Sequence, residues 1–305
     1  MLTAASLVCK SWLPLAQHLL YRSVTVIQYS PAHILRIPGT FTTEALLQRS
    51  HLLGFTRSLS IHVHGRSTAT LPPFSEDDGP EGSREYVRIP EFFFLFAHTP
   101  QLRYVELSVD LAQTNLNIGQ FGPHILGWLS SLVLPIEALD FDDWGLFHST
   151  FVYDLVCIWP TIRALRVFTR YDGLPLERPS INLRELKLPI PSLAAAVIEW
   201  LLPPPPPNEQ PNLQFLELYD ISAEARAALS VHGPNVSTLT LWCQPAFEIA
   251  RLFTKLEELV IAGPLWRSLR IRLEDKLRHN SLSVSQVLGQ SFPSLRILCW
   301  GSRTL

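Results

Sequence analysis

Two groups of residues carry the types and spacing that chemistry needs. His62 and His64 fall on one face of an extended segment, the arrangement of a metal-ligating pair. Asp142 and Asp143 precede His148, the ingredients of a carboxylate–imidazole base for hydrolysis. Neither group is complete. No further ligand is fixed in sequence beside the histidine pair, and a lone pair does not make a zinc site. The acid–histidine group lacks a nucleophile elbow, because no G-x-S-x-G string occurs, and there is no Walker loop or G-x-G-x-x-G turn. Hydrolase, kinase and dehydrogenase readings therefore fail for want of a motif. The expectation is a protein with no catalytic residue, no metal and no cofactor. Cys9, Cys157, Cys243 and Cys299 lie far apart with no C-x-x-C pair, which argues against both a zinc site and a disulfide framework. Such usage fits a reducing compartment, the cytoplasm or nucleus.

Composition narrows the partners. Of 305 residues, 47% are hydrophobic and 17% charged, the latter well under the roughly 25% of an ordinary domain. Disorder needs the opposite balance and is excluded for the bulk of the chain. A net charge of −2 gives no chain-wide field to hold a nucleic-acid backbone or an anionic membrane. No apolar run approaches the ~18 residues of a membrane span; Ile89–Ala97 is short and contains Glu91. The first residues lack the charged and apolar regions of a secretory signal. Neither nucleic acid nor membrane is expected as a partner.

The elements that must position any site come from an internal repeat, apolar at n, n+3 and n+5. It reads Leu102-Arg-Tyr-Val105-Glu-Leu107, Ile136-Glu-Ala-Leu139-Asp-Phe141, Ile162-Arg-Ala-Leu165-Arg-Val167 and Leu183-Arg-Glu-Leu186-Lys-Leu188. It continues as Leu213-Gln-Phe-Leu216-Glu-Leu218, Val236-Ser-Thr-Leu239-Thr-Leu241, Leu256-Glu-Glu-Leu259-Val-Ile261 and Leu295-Arg-Ile-Leu298-Cys-Trp300. A degenerate copy centres on Thr56-Arg-Ser-Leu59-Ser-Ile61. Positions n+3 and n+5 alternate, so they share one face of a short strand. Between the strands, helical spacing runs through Glu91–His98, Phe121–Leu134, Thr150–Trp159, Ser192–Leu202, Ala223–His232, Ala246–Lys255 and Ser283–Ser291. Proline two residues ahead of a strand (Pro100, Pro160, Pro211, Pro234, Pro293) stops the helix and biases the chain to extended geometry. Strand, helix and strand at this period predict parallel strands with right-handed crossovers. Stacked units of that kind make an α/β solenoid, strands on its concave face and helices on its convex face. Three segments stand outside the pattern: a Ser/Pro/Gly-rich loop at 66–85, the proline run Pro203–Pro207, and an extra helix over Pro264–Asn280.

These hexamers resemble the leucine-rich repeat, whose consensus opens L-x-x-L-x-L, from about Phe55 to Trp300. The repeat lengths vary, as in the irregular class found in eukaryotic adaptors, and the Asn or Cys that follows the consensus hexamer is usually absent. Residues 2–26 do not repeat. Ala5, Val8, Trp12, Leu15 and Leu19 follow helical spacing, and Pro14 suits the first turn of a second short helix. The string Ser6-Leu-Val-Cys9-Lys10-Ser-Trp12, with Leu15-Ala16 and Leu20-Tyr21-Arg22, looks like the C-terminal half of an F-box. The first third is similar to F-box-type proteins of mushroom-forming fungi. The Leu-Pro-x-Glu segment that opens that motif is absent, since the sequence begins after that point, and Leu305 follows the last strand abruptly. Both ends read as cut, as in a fragment or an incomplete gene model.

The resemblance implies a substrate receptor of an SCF-type cullin–RING ubiquitin ligase. It divides the chain into a partial F-box-like segment at 1–26, a connecting helix or loop at 27–54, and the repeat solenoid at 55–305. Leu2, Leu7, Val8, Cys9 and Trp12 match positions that dock on a Skp-type adaptor, and the repeats would select an unknown protein target. On each strand, positions n+2, n+4 and n+6 point away from the leucines. They predict an acidic zone of Glu106, Asp140 and Asp142, a basic zone of Arg166, Arg170 and Lys187, and aromatics Phe168, Phe215, Tyr219 and Trp242. Exposed aromatics beside arginine have the composition of interface hot spots.

Overall fold

The computed structural model describes residues 12–29, 42–64, 91–110, 122–143, 150–169, 173–189, 195–205, 211–219, 221, 225–242, 252–262 and 297–301. The chain forms two compact units, Met1–Thr161 and Ile162–Leu305.

In the first unit, helix α1 (Leu13–Tyr21) leads into strand β1 (Ser23–Tyr29), then α2 (Thr43–Leu47), α3 (Ser50–Leu53) and β2 (Ser58–His64). A 3-10 turn, Glu91–Phe93, opens α4 (Phe94–Ala97), followed by β3 (Tyr104–Asp110), α5 (Gly122–Ser131), β4 (Ala138–Asp143) and α6 (Phe151–Ile158). Strands β1 to β4 pair in chain order, each parallel to the next. In the second unit, β5 (Ala164–Phe168), β6 (Glu185–Leu188), β7 (Phe215–Leu218), β8 (Thr238–Leu241), β9 (Glu258–Ala262) and β10 (Ile297–Gly301) pair in the same way. Helices α7 (Ala195–Leu201) and α8 (Ala225–His232) lie between them in sequence, α8 closing in a 3-10 turn at Gly233–Asn235. The fold is α/β with parallel strands, as the repeat requires.

Register follows the hexamers residue for residue. Leu59, Val105 and Leu139 stand level across β2, β3 and β4. Leu165, Leu186, Leu216, Leu239, Leu259 and Leu298 do so across the second unit. The n, n+3 and n+5 leucines, valines and isoleucines from β1 to β8 are buried, as are Leu256 and Leu259 of the next rung, so the rungs stack their apolar side chains into the core. A carbonyl ladder holds the rungs in step just ahead of the strands. The Arg22 carbonyl accepts from the Arg57 and Ser58 amides, and the Arg57 carbonyl from Arg103 and Tyr104. Arg103, Arg163, Arg184, Gln214 and Ser237 repeat the arrangement.

In the first unit α4 and α6 lie against the leucine side, as their aromatic contacts show. Phe141 of β4 meets Phe151 of α6 at 6.2 Å, Phe151 meets Phe93 at 6.3 Å, and Phe96 stacks on Trp159 at 6.1 Å.

Three sequence expectations need correction. The repeat starts one rung earlier than Phe55, because β1 pairs along its whole length with β2 and spans the boundary drawn at 26/27. Tyr21, Val24 and Val26 fill its n, n+3 and n+5 positions and are buried; a tyrosine at n hid the rung. Helix α5 is shorter than 121–134, and Leu132–Ile136 form an irregular link to β4. Pro234 lies inside a 3-10 turn rather than in extended chain. The loop at 66–85, the helices at Ser283–Ser291 and Pro264–Asn280, and most of Ala246–Lys255 lie outside the described residues. Pro203–Pro205 are neither helix nor strand.

Candidate functional site

The strand face opposite the leucines carries the polar columns that the repeat predicts. In the first unit, Thr25, Ser60, Glu106 and Asp140 form one row, and Ile27, His62, Ser108 and Asp142 the next but one. Glu106 sits at the junction. The Ser60 hydroxyl donates to its Oε2 at 2.7 Å, and His62 Nε2 lies 4.0 Å from its Oε1. The Ser60 hydroxyl is thus held on a carboxylate. The two rows together present carboxylates, Glu106, Asp140 and Asp142, all half-buried. Among the described residues, no three His, Cys, Asp or Glu side chains assemble as a metal site. The His64 side chain and all of His148 lie outside the described set.

In the second unit, Arg166, Lys187 and Glu217 stand level on β5, β6 and β7. Lys187 Nζ lies 4.8 Å over the Phe215 ring and 3.9 Å from Glu185 Oε2. The Trp242 indole donates to Glu217 Oε1 at 2.8 Å. Phe168, Phe215, Tyr219 and Trp242 are all half-buried. The basic zone is therefore a mixed one: Glu185 and Glu217 interleave with the cations and tether an aromatic. Arg170 lies outside the described residues. Both glutamates stand in the hexamers, and Glu217 shares the n+4 position with Arg166 and Lys187; what the period does not show is that Glu217 lies within reach of Trp242.

The third surface is α1. Trp12, Leu15 and Leu19 are 59%, 55% and 42% exposed, and Leu13 is 38% exposed, while Ala16 and Tyr21 are buried. The spacing of Trp12, Leu15 and Leu19 puts them on one helix face. Trp12 is not core. Leu2, Leu7, Val8 and Cys9 lie outside the described residues.

No family model and no curated protein matches this chain. Its surfaces must carry the functional assignment: an apolar helix face in the first unit, a carboxylate-rich strand face beside it in sequence, and an aromatic, mixed-charge strand face in the second unit. Aromatic and aliphatic area within a polar rim is the composition of protein–protein interfaces in general. Among the described residues, no helix is long and apolar enough to cross a membrane.

Proposed function

We propose that the chain is a non-catalytic recognition module of leucine-rich-repeat type, the substrate receptor of an SCF-type cullin–RING ubiquitin ligase in the cytoplasm or nucleus. The observation that carries this reading is the solvent-facing apolar stripe of Trp12, Leu15 and Leu19. It lies in the segment that resembles an F-box, and it is the kind of surface a helical adaptor covers. In this reading α1, with Leu2, Leu7, Val8 and Cys9 ahead of it, docks on a Skp-type adaptor. Phe168, Phe215, Tyr219 and Trp242, flanked by Arg166, Arg170 and Lys187, grip the target, and Glu106, Asp140 and Asp142 set the sign of its preferred charge. The ligase acts by proximity: tethering raises the target's effective concentration at a ubiquitin-charged enzyme with no chemistry by this chain.

A pull-down with a purified Skp-type adaptor tests this, using the chain as given, a version extended upstream of Met1, and Leu15→Asp in each. Adaptor recovery that Leu15→Asp abolishes supports the reading; no recovery with either version defeats it.

A second reading, an interaction scaffold unrelated to ubiquitination, is favoured by one observation. Helix α1 runs directly into β1, and its last residue, Tyr21, is the buried n position of the first rung. The helix can thus belong to the repeat alone. Under this reading a target is retained through the strand faces while Skp-type adaptors are not.

A further inference from the structure

Position n+1 of each rung carries a pattern that neither proposed surface uses. In the first unit it is occupied by Arg22, Arg57, Arg103 and then Glu137. The carbonyl ladder fixes these residues one above another, because each n+1 carbonyl accepts the n+1 amide of the next rung. Their side chains therefore rise at the strand spacing of about 4.8 Å. Arg22, Arg57 and Arg103 are all exposed. Arg103 is bonded to Glu137, which closes the basic run on that side; among the described residues, neither Arg22 nor Arg57 has an acidic partner. Like charges stacked this closely repel, so the column costs stability unless an anion meets it. The preference extends along the chain: Arg22, Arg57, Arg103, Arg163, Arg184 and Arg296 all stand at n+1.

We propose that the column Arg22–Arg57–Arg103 is a docking stripe for a short acidic helix of a partner protein. Guanidinium forks match carboxylates in pairs and hold their charge at any physiological pH. A helix laid along the column presents carboxylates at i, i+4 and i+7 with a pitch of about 5.4 Å. From i to i+7 the helix rises about 10.5 Å, so over the two steps from Arg22 to Arg103 the mismatch with the rungs is only about 0.9 Å. An extended segment offers one same-side carboxylate every ~6.7 Å, a mismatch near ~4 Å over the same span. A nucleic-acid strand is the poorer occupant. Glu106, Asp140 and Asp142 line the strand face of the same unit, and the whole chain carries a net charge of −2, so a long polyanion meets repulsion beyond the stripe. This stripe is separate from the α1 stripe and the strand faces, and it stands whether or not the chain serves a ligase.

The test uses the full chain and a fluorescent helical peptide of about 15 residues bearing glutamates at i, i+4 and i+7, followed by anisotropy. Salt-dependent binding is expected, with Arg57→Glu weakening it at least ~tenfold and Arg184→Glu, the same position in the second unit, leaving it unchanged. Circular dichroism reports folding, and Arg57→Gln, with a loss of about threefold, serves if the reversal does not fold. Equal losses from Arg184→Glu and Arg57→Glu would reduce the effect to general charge and overturn the stripe. Tighter binding of a single-stranded oligonucleotide would overturn the choice of partner. Undiminished binding of the same peptide interrupted by proline would overturn the helical occupant.

Discussion

A threonine stands where the second rung asks for an apolar residue, and its hydroxyl explains why it is tolerated. Thr56 is fully buried, and its Oγ1 donates to the Tyr21 carbonyl of the rung before it at 2.8 Å. Thr56→Val keeps the volume and removes the donor, so it is expected to cost about 1–2 kcal/mol, read from the chemical-denaturation midpoint. His232 supplies a second residue-scale prediction. It is buried at the end of α8, its Nε2–H donating to the Pro203 carbonyl at 3.1 Å. Burial pushes its pKa below the ordinary histidine value, against the upward pull of the backbone carbonyls of Pro203 and Leu202. The unfolded chain then binds more protons than the folded one below about pH 6.5. Stability should fall as pH drops from that value toward the lowered one, and His232→Gln, which keeps a donor but does not titrate, should flatten that slope in unfolding curves. Nothing in the sequence marks His232 as buried, because its partner Pro203 comes from the preceding rung. The columns Glu106/Asp140 and Arg166/Lys187, by contrast, were readable from period alone. Glu217 shares the second column; the contacts that Glu185 makes with Lys187 and Glu217 with Trp242 depend on side-chain reach, which period does not give.

At the scale of elements, strand positions were legible wherever a leucine marked n, and the first rung was missed where Tyr21 took that place. Helix ends were harder to read. Their limits depend on close approaches such as the one at Gly233, where an added Cβ would lie 2.5 Å from the Leu252 carbonyl oxygen. That approach joins the end of α8 to the chain ahead of β9, and backbone on both sides leaves little room to yield. Gly233→Ala is therefore expected to destabilise by about 1–3 kcal/mol. Gly127, inside α5, has nothing within 4 Å of a built Cβ and is exposed. There the loss of unfolded-state freedom dominates, and Gly127→Ala should stabilise by about 0.5–1 kcal/mol. The same substitution with opposite signs, measured by thermal unfolding of the two variants, separates crowding from backbone entropy.

For the whole molecule, the decisive property is that rungs repeat in bonding as well as in sequence. Leu183 and Leu213 open consecutive rungs of the second unit 30 residues apart. The Arg184 and Glu185 amides bond to the Arg163 carbonyl as the Gln214 and Phe215 amides bond to that of Arg184. Removing residues 183–212, so that Leu213 follows Asn182, offers β7 to β5 with its leucines in register and the Arg163 carbonyl still doubly occupied. If each rung leans chiefly on its neighbours, as in a solenoid, the shortened chain should fold cooperatively at lower stability. The Pro203 acceptor of His232 goes with the deleted rung, so part of that loss is local. Removing residues 183–197 instead would delete β6 and leave only part of α7, bringing no new strand into register with β5; that chain should fail to give a cooperative transition. Circular dichroism and denaturant titration compare the two. If both deletions unfold alike, rung-by-rung additivity fails for this chain; if both fold alike, register is not what holds the second unit together.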